Sequence, residues 1–507
     1  MKVLLLHPER DPTMGTGPGP DATDLARDLG LDRLLGAMAR HDDAMLASAR
    51  SCLLAPLARP DEIVWRQQAL ADCIAEPGLT RDLYELANEA LEEHRKLTFW
   101  GVNRSPESLR YSSVQSLEML LDRLVRLRRL VEERGRAMAS PAWSRLRSML
   151  VEELDDAYVK TAKEHLGELG LGRGIFMSAQ LGRANRGTAY MLHRSHQERW
   201  RDRVANRAQR GLSFSVATGD DNSLHALAQM QARGVNLAAN VLAQSVDTVL
   251  SFFTALRDQV AFYVGCLNLR ETLEAKGEPV CTPTVLPPGE SGFRASGLYD
   301  PDLSLGLEGR AVGNDISAQG RCLLIVTGAN RGGKSTLLRS IGAAQLMLQS
   351  GMFVAATSFA AAPAPLVLSH FKREEGDDMS GGKLDEELGR MSEIVSRITP
   401  GCLLLCNEPF ASTNEREGSD IGRQVFLPLA AAGVRVCVVT HLYDLAESIY
   451  RMGGEGTLFL RAPRQSGGRP FELVEGAPEP SAFGEDVYEK VFGERPAPAS
   501  QADRGRP

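Results

Sequence analysis

The sequence predicts a multidomain protein in which a helical region precedes an α/β domain. Its 507 residues are enough for roughly three domains. Over residues 25–169 the apolar side chains recur with helical spacing, and a second long helical pattern covers residues 224–276. Further on, the apolar run 322–326 leads through a glycine-rich loop into another helical pattern. A strand, a loop and a helix in this order are typical of an α/β domain.

The composition favours a globular protein with a large apolar core. Hydrophobic residues make up 43% of the chain, charged residues make up 24%, and the formal net charge is −7. This balance argues against a protein that is basic over its whole surface, so a contact with nucleic acid needs a local positive patch. Because no window of about 18 apolar residues occurs, we expect no membrane-spanning segment and no membrane partner.

The cysteines and the start of the chain predict a cytoplasmic protein. The eight cysteines include no C-x-x-C pair, and Cys402 and Cys406 lie on an apolar strand pattern without a histidine nearby. This usage favours reduced core thiols over a disulfide framework or a metal site. The apolar stretch at the start of the chain is too short for a signal peptide.

Arginine is concentrated in residues 183–210. Eight arginines fall within these 28 residues, against only Glu198 and Asp202 as acids. The eight are Arg183, Arg186, Arg194, Arg199, Arg201, Arg203, Arg207 and Arg210. In a chain of negative net charge this cluster is the candidate contact with the phosphate backbone of DNA. A solvated helix face, paired with acids elsewhere, is the alternative and stays open.

The second helical pattern, residues 224–276, predicts an unusually long helix. If Gly234 does not interrupt it, the helix is on the order of 75 Å long at about 1.5 Å per residue. In the first helical region, the strongest stripe is formed by Val114, Leu117, Leu121, Leu124, Leu127 and Val131. This stripe predicts a helix that faces the core of a bundle.

The glycine-rich loop has the pattern of a phosphate cradle. Residues 328–335 match G-x-x-x-x-G-K-[ST] between the apolar run and the helical pattern, which is the context that the motif requires. The predicted ATP-binding residues are Gly328, Ala329, Asn330, Arg331, Gly332, Gly333, Lys334, Ser335 and Thr336. Backbone N–H groups of such a loop close around phosphate oxygens, Lys334 reaches the β- and γ-phosphates, and the Ser335 hydroxyl ligates Mg²⁺. The alternative is a glycine turn with an incidental lysine.

A second motif follows about 45 residues later. Residues 379–383 read Met-Ser-Gly-Gly-Lys, open a helical pattern, and are close to the L-S-G-G-Q signature of ABC-type ATPases. In ABC-type dimers the signature serves the nucleotide that the opposite subunit holds, so Ser380, Gly381 and Gly382 are predicted to act in trans. On its own, Ser-Gly-Gly often marks only a turn.

Two apolar strands then end in polar residues. Residues 403–408 form a buried-strand pattern that ends in Asn407 and Glu408, and Glu408 is the candidate general base for an attacking water. The position of Asn407 normally holds an aspartate that helps to bind Mg²⁺ through water. An amide still accepts a hydrogen bond but brings no charge, so metal affinity should fall. A surface acid at the strand end is the alternative for Glu408.

The strand at residues 436–440 is followed by His441, which can contact the γ-phosphate and report its loss. The alternative for His441 is a purely structural residue. Residues 412–415, Ser-Thr-Asn-Glu, resemble the loop that follows the acidic strand in such ATPases and meets the partner subunit. With these elements, the α/β domain is predicted to be a P-loop, ABC-type ATPase.

Several of these motifs resemble those of the MutS family of mismatch-repair ATPases. Residues 327–336 are similar to the family's T-G-x-N-x-G-G-K-S-T cradle. Asn314-Asp315, residues 403–412 and Thr440-His441 resemble further segments of the family's ATPase domain. The likeness extends more weakly upstream, to residues 53–57 and 66–70. The resemblance implies an ATP-dependent DNA clamp that works as a homodimer, with composite sites at the ATPase interface and with ATP and Mg²⁺ as ligands. The DNA would be double-stranded, with a mismatch or a junction.

The resemblance also suggests a domain order. We expect an N-terminal segment (1–26), a helical core domain (27–169), an arginine-rich clamp-like insertion (170–222), a lever helix (223–277), a MutS-like ABC ATPase domain (278–494) and a disordered tail (495–507). The prolines and glycine of residues 279–289 are expected to form a linker into the ATPase domain.

Three departures from the family pattern limit what can be transferred. The family's mismatch reader carries an N-terminal Phe-x-Glu wedge, but the first phenylalanine here is Phe99, and the Phe-Gly-Glu sequences at Phe483 and Phe492 lie in the C-terminal segment. Asn407 replaces the usual aspartate, so hydrolysis is expected to be slow or metal-sensitive. No endonuclease-like domain follows the ATPase, which disfavours the branch of the family that carries one.

Two functions from different classes therefore remain. The first is a MutS-related, DNA-dependent ATPase of mismatch repair or recombination, whose dimer closes on ATP and binds DNA structures rather than inserting a wedge at mismatches. The second is an ATP-switched scaffold or assembly protein with little hydrolysis and no DNA readout of its own.

Overall fold

The computed structural model describes most of the chain. The described residues are 1–12, 20–99, 106–170, 177–181, 187–192, 221–463 (apart from 288, 291, 330, 374–381 and 455) and 471–479. The chain divides into two compact units, residues 1–14 with 68–264 and residues 15–67 with 265–507. Among the described residues, no helix combines the length and the apolar character that a membrane crossing requires.

Helices make up the first part of the described chain. They are α1 (Pro20–Leu29), α2 (Asp32–Ala39), α3 (Asp43–Leu54), α4 (Pro60–Ala75), α5 (Pro77–Phe99), α6 (Pro106–Arg134), α7 (Pro141–Glu153) and α8 (Asp156–Leu169). Five of these helices begin at a proline, whose fixed φ and missing N–H suit the first helical position. A hairpin of β1 (Met177–Leu181) and β2 (Gly187–Leu192) and the long α9 (Asp221–Ala275) follow.

In the first unit, the predicted apolar stripe of α6 is buried. Val114, Leu121, Leu124, Leu127 and Val131 are each at most 6% exposed, which confirms the helical spacing. The predicted long helix is also confirmed, since α9 runs through Gly234 without a break for 55 residues, or about 80 Å.

The start of the chain is held by α9 within the same unit. The side-chain oxygen of Gln259 accepts the backbone N–H groups of Leu5 (2.8 Å) and Leu6 (3.0 Å), and the Tyr263 hydroxyl donates to the Leu5 carbonyl (2.8 Å). Leu5 and Leu6 are fully buried. Side chains of α9 therefore satisfy backbone groups that would otherwise be buried without a partner.

The second unit contains the α/β part of the chain. Its remaining elements are β3 (Thr284–Val285), β4 (Phe293–Leu298), α10 (Pro301–Gly306), β5 (Asn314–Ser317), β6 (Leu323–Gly328), α11 (Lys334–Gln349), β7 (Ser358–Ala361), β8 (Val367–Phe371), α12 (Lys383–Arg397), β9 (Leu403–Asn407), α13 (Glu415–Ala431), β10 (Arg435–Val439), α14 (Tyr443–Arg451), β11 (Thr457–Ala462) and β12 (Val474–Glu475). The predicted order, a helical region and then mixed α/β structure, is confirmed.

Two sheets organise this unit. The six-stranded sheet has the order β12-β11-β6-β10-β9-β8, with parallel pairing from β11 to β8 and an antiparallel β12 at its edge. All six residues of β6 are buried, as expected for a strand covered on both faces. The second sheet has the order β3-β7-β4-β5. All eight cysteines are free in the structure. Six of them are buried, as expected for core residues, whereas Cys281 and Cys322 are half-buried.

The expectation of a linker at residues 279–289 is corrected by the structure. Cys281 and Val354 exchange two backbone hydrogen bonds (3.0 and 2.8 Å), and β3 pairs with β7. Residues 281–285 therefore contribute to the edge of a sheet. Prolines are tolerated in an edge strand because only one side of the strand needs its N–H groups for pairing.

Helices α1–α3 belong to the α/β unit, although they lie far from it in the sequence. The Ser369 hydroxyl of β8 donates to the Asp28 carboxylate (2.8 Å), and Arg339 of α11 donates to the Asp28 carbonyl (3.0 Å). The Leu57 N–H donates to the carbonyl of Gln349 at the end of α11 (3.0 Å). These contacts supply partners for buried polar groups beside the second turn of α11 and at its carboxyl end. The domain boundaries drawn from the sequence stay a prediction.

Candidate nucleotide site

The candidate site lies at the carboxyl ends of three neighbouring parallel strands. In the register of the sheet, Val439 of β10 is level with Val326 of β6 and with Asn407 of β9. The residues that follow each strand therefore emerge at the same edge. The crevice outside the carboxyl ends of parallel strands is where α/β proteins bind their ligands.

The loop between β6 and α11 has a backbone that demands glycine. Gly328 and Gly333 have φ of +109° and +87°, in the left-handed region. A Cβ atom added at Gly328 would lie 2.8 Å from the Ala462 nitrogen, and one added at Gly332 would lie 2.7 Å from the Ala462 Cβ. The loop therefore packs directly against the end of β11. It leads into the first turn of α11, whose N–H groups lack helical partners and favour an anion.

Lys334 begins α11 and lies over the loop. It is 5% exposed, and its Nζ donates to the carbonyls of Gly328 (2.7 Å) and Ala329 (3.0 Å). Burial lowers the pKa of Lys334, and the negative charge of Glu408 opposes that shift. A partly desolvated ammonium group held by two neutral carbonyls is well placed to bind a phosphate group.

Ser335 and Asn407 place two side-chain oxygen atoms next to each other. The Ser335 hydroxyl donates to Asn407 Oδ1 at 2.8 Å. Among the described residues, no group of three or more His, Cys, Asp or Glu side chains could hold a metal ion. A divalent cation would therefore depend on the hydroxyl, the amide oxygen and the oxygens of its ligand. This set of hard oxygen atoms fits Mg²⁺, which keeps several waters and is usually bound with substrate phosphates.

Glu408 and His441 are in contact. His441 Nε2 lies 2.6 Å from Glu408 Oε1, and the two side chains are 30% and 26% exposed. The hydrogen bond to His441 lowers the pKa of Glu408 against the opposing effect of burial, and the charges of His441, Lys334 and Lys372 lower it further. Glu408 is thus an ionised carboxylate at neutral pH, as a general base must be.

The loop that follows Glu408 is tied to α13 and α14. Asn414 caps α13 by accepting the Glu417 N–H (3.0 Å), and Glu415 accepts the Tyr443 N–H at the start of α14 (2.9 Å). The second contact fixes the loop beside the segment that carries His441. The motifs predicted from residues 328–336, 403–408, 412–415 and 441 therefore converge on one edge of the sheet.

Asn314 joins this region from the other sheet. Its Oδ1 accepts the Leu473 N–H at 2.8 Å, and its Nδ2 lies 3.5 Å from the Phe471 carbonyl. That same carbonyl would lie 3.3 Å from a Cβ atom at Gly333. Asp315 instead accepts the Gly297 N–H (2.7 Å) and the Ser296 hydroxyl (2.8 Å), and these bonds lower its pKa.

Two charged residues near the site were missed by sequence reasoning. Lys372 follows β8, and its N–H donates to the Asn407 carbonyl (3.2 Å). Its signal was present, because a charged residue directly follows a buried strand there. Glu387 is a buried acid of α12 that binds the loop after Glu408. Nothing in its local sequence distinguishes it from the neighbouring Glu386.

Several predicted residues lie outside the part of the chain that the structure describes. They are Asn330, Ser380, Gly381 and the eight arginines of residues 183–210. Phe483, Phe492 and residues 495–507 also lie outside it. Gly382 is described and caps α12, which begins at Lys383. The helical pattern expected after the signature-like motif is therefore present.

The fold and the site together define a class of protein. In this class a helical region is joined to an α/β unit that has a glycine-rich loop between a central parallel strand and a helix. Residues 58–276 match the family model of the MutS2 N-terminal domain, and residues 324–462 match that of MutS domain V. The chain belongs to the MutS family.

The similar curated proteins include MutS2, MSH1 and MutS members of the family. Endonuclease MutS2 of Thermus thermophilus is 31% identical over 158 residues, 31% of this chain and 21% of the relative. The mitochondrial DNA mismatch repair protein MSH1 of Arabidopsis thaliana is 33% identical over 159 residues, 31% of this chain and 14% of the relative. The DNA mismatch repair protein MutS of Caulobacter vibrioides is 28% identical over 302 residues, 58% of this chain and 31% of the relative. The chain thus spans less than a third of the length of these relatives.

The branch of the family stays a prediction. Residues 58–276 match the MutS2 N-terminal domain, whereas the curated relatives include both MutS2 and MutS proteins.

Proposed function

We propose that this chain is a MutS-family ATPase that couples ATP binding and hydrolysis to an action on DNA in repair or recombination. The observation that carries the proposal is the convergence of Lys334, the Ser335–Asn407 pair and the Glu408–His441 pair at one edge of the sheet. The names of the MutS and MutS2 relatives support the DNA-directed role.

In the proposed site, residues 328–336 hold the phosphates of ATP. Lys334 exchanges its two carbonyl partners for phosphate oxygens, which are charged and therefore stronger acceptors. Ser335 and Asn407 would hold the Mg²⁺ of Mg²⁺-ATP, and the metal would neutralise phosphate charge. Because Asn407 brings no charge of its own, we expect weaker Mg²⁺ binding than an aspartate would give.

For hydrolysis, Glu408 accepts a proton from the attacking water. His441 holds the carboxylate in place through the 2.6 Å contact and is the group that changes partner when the γ-phosphate leaves. The lowered pKa of Glu408 keeps the base ionised, although it also weakens its basicity. This combination agrees with slow turnover.

The composite part of the proposal rests on the sequence and on the family. In a homodimer, Ser380, Gly381 and Gly382 of one copy would complete the site of the other, so that ATP closes the dimer. The arginines of residues 183–210 would contact DNA phosphates, and α9 would carry the closure towards them.

The nucleotide part is tested by calorimetry and by turnover. Lys334→Ala should abolish detectable binding of Mg²⁺-ATP, whereas Lys96→Ala, which removes an exposed lysine, should leave binding intact. Glu408→Gln should bind ATP normally and lose turnover by about 10²–10⁴-fold, the usual contribution of a general base. Unchanged ATP binding in Lys334→Ala would overturn the assignment of the cradle, and unchanged turnover in Glu408→Gln would overturn the assignment of the base.

The DNA part is tested by binding duplex and junction DNA at several salt concentrations. Each phosphate contact should contribute a slope of about −0.9 to log K against log salt. The triple variant Arg199→Ala, Arg201→Ala and Arg203→Ala should weaken binding to all sequences and flatten the slope. If the wild type binds no form of DNA at low salt, the DNA-directed role is excluded.

A second candidate is an ATP-switched scaffold with little hydrolysis and no DNA readout, and Asn407 is the observation that favours it. In this case ATP binding gates the docking of a partner, and DNA is incidental. The wild type would then bind ATP but barely hydrolyse it, and Asn407→Asp would raise turnover. Robust turnover by the wild type, increased by DNA, would exclude the scaffold.

A further inference from the structure

Glu387 is a buried carboxylate that the proposed chemistry does not use. It lies one turn into α12 and is 7% exposed, whereas its neighbours Asp385 and Glu386 are exposed. A buried carboxylate is costly unless hydrogen bonds satisfy both of its oxygens. The residues that satisfy Glu387 therefore indicate what it does.

Both oxygens of Glu387 bind the loop that follows Glu408. The Phe410 N–H donates to Oε1 at 2.6 Å, and the Ser412 hydroxyl donates to Oε2 at 2.7 Å. The buried His370 contributes a weaker contact, with its Nε2 3.5 Å from Oε1. Burial raises the pKa of Glu387, but His370, Ser412 and Phe410 outweigh it, so that the pKa is lowered and the carboxylate is charged.

The loop needs such support because its backbone is strained. Glu408 and Phe410 both have left-handed φ, +53° and +61°, which is unfavourable for residues with a side chain. Strain of this kind persists only where the surroundings impose it. The Phe410 ring is fully buried against Phe426 and His370, with ring centroids 6.0 and 6.2 Å apart, and Glu387 holds the backbone of the same residue.

We propose that Glu387 is a positioning residue for Glu408. By holding the Phe410 N–H and the Ser412 hydroxyl together, it fixes the backbone turn from which the Glu408 carboxylate reaches the water. The inference rests on the proposed role of Glu408 as general base. Glu387 lies on α12, the helix that Gly382 caps directly after the signature-like motif. Through Glu387, the position of the Glu408 carboxylate therefore depends on this helix.

The experiment measures kcat and KM for ATP, ATP affinity and thermal unfolding for the full-length wild type and four variants. Glu387→Ala removes both acceptors, and Ser412→Ala removes one donor. Glu387→Gln keeps both bonds, since an amide oxygen accepts the Phe410 N–H and an amide NH₂ donates to the Ser412 hydroxyl. Glu386→Ala is the matched control, an exposed glutamate on the same helix.

We expect Glu387→Ala to lower kcat by about 10–100-fold, as a displacement of about 1 Å does, with KM and ATP affinity within about twofold. Ser412→Ala should lose about 3–10-fold, the equivalent of one hydrogen bond. Glu387→Gln should stay close to the wild type, and Glu386→Ala should match it. If Glu387→Ala fails to fold, the kcat values of Ser412→Ala and Glu387→Gln decide the matter.

Wild-type kcat in folded Glu387→Ala and in Ser412→Ala would overturn the positioning role. So would an equal loss of kcat, ATP affinity and thermal stability in all the Glu387 and Ser412 variants, which is the result of a merely structural residue. In both results the wild type still hydrolyses ATP, so the proposed function stands and only the role of Glu387 is refuted. A wild type that does not turn over ATP would instead refute the catalytic part of the proposed function, and Glu387 would have no base to position.

Discussion

Replacing Asn407 with aspartate changes the charge of the candidate metal site without changing its shape. The Asn407 Oδ1 accepts the Ser335 hydroxyl at 2.8 Å, and an aspartate oxygen in the same place accepts the same bond. The variant therefore adds one negative charge beside Ser335 and removes no contact seen in the structure. We expect nucleotide binding by Asn407→Asp to require less Mg²⁺.

The size of this effect follows from the position of Asn407. Groups that hold a metal through water typically change its affinity by about 10–100-fold, or about 1.4–2.8 kcal/mol. Asn407 is half-buried and the adjacent Glu408 is 26% exposed, so water screens part of the new charge. The lower end, about tenfold, is therefore expected.

Calorimetric titration of ATP at a series of Mg²⁺ concentrations measures the effect. The ATP binding constant rises with Mg²⁺ concentration to a plateau. The Mg²⁺ concentration at which it reaches half of its plateau value should fall about tenfold in Asn407→Asp. Asn240→Asp is the charge-matched control, since Asn240 is exposed on α9 and outside the site, and it should behave as the wild type. An unchanged midpoint in Asn407→Asp, or the same change in Asn240→Asp, would refute the assignment of Asn407 to the metal.

Two further predictions concern backbone strain and a buried acid. Gly333→Ala should lower the free energy of unfolding by about 1–2 kcal/mol, since φ is +87° and the new Cβ would lie 3.3 Å from the Phe471 carbonyl. This variant should also weaken ATP binding. The control Gly453→Ala, where φ is +70° and the surrounding space is open, should lower stability alone. Equal ATP affinity in the two variants would contradict the role of the loop. Burial raises the pKa of Asp300 from 3.8 to about 6. The folded state therefore has its full stability below pH 3.8, where this carboxyl group is protonated, and loses part of it as the pH rises through 6 and the buried group ionises. Asn at this position keeps the oxygen that caps α10, and Asp300→Asn should therefore gain stability over the wild type between pH 4 and pH 8, reaching about 3 kcal/mol. Urea unfolding at both pH values checks this, and a difference independent of pH would contradict it.

Much of the candidate site could be predicted from local pattern. The spacing of Gly328, Gly333 and Lys334 reflects a tight loop. Both glycines have left-handed φ, and a Cβ atom would meet Ala462 at Gly328 and the Phe471 carbonyl at Gly333. Glu408 and His441 each follow an apolar strand. Since parallel strands bring their carboxyl ends to one edge, residues far apart in the chain could be expected to meet there. The 2.6 Å contact between them agrees with that expectation.

Helices could be predicted for a similar reason. The stripe on α6 and the length of α9 follow from a period of 3.6 residues, which is a property of neighbouring positions. Such patterns report which side of an element is apolar. They do not report which other element covers it.

The remaining features depend on contacts between distant segments. Asp28 meets Ser369 and Arg339 across more than 300 positions, residues 281–285 join a sheet edge instead of forming a linker, and Glu387 is distinguished from Glu386 only by the loop that it holds. Local sequence records the conformational preference and polarity of each residue. A buried charge or an unpaired strand edge acquires its partner only when the chain packs, because the partner's identity depends on the whole fold.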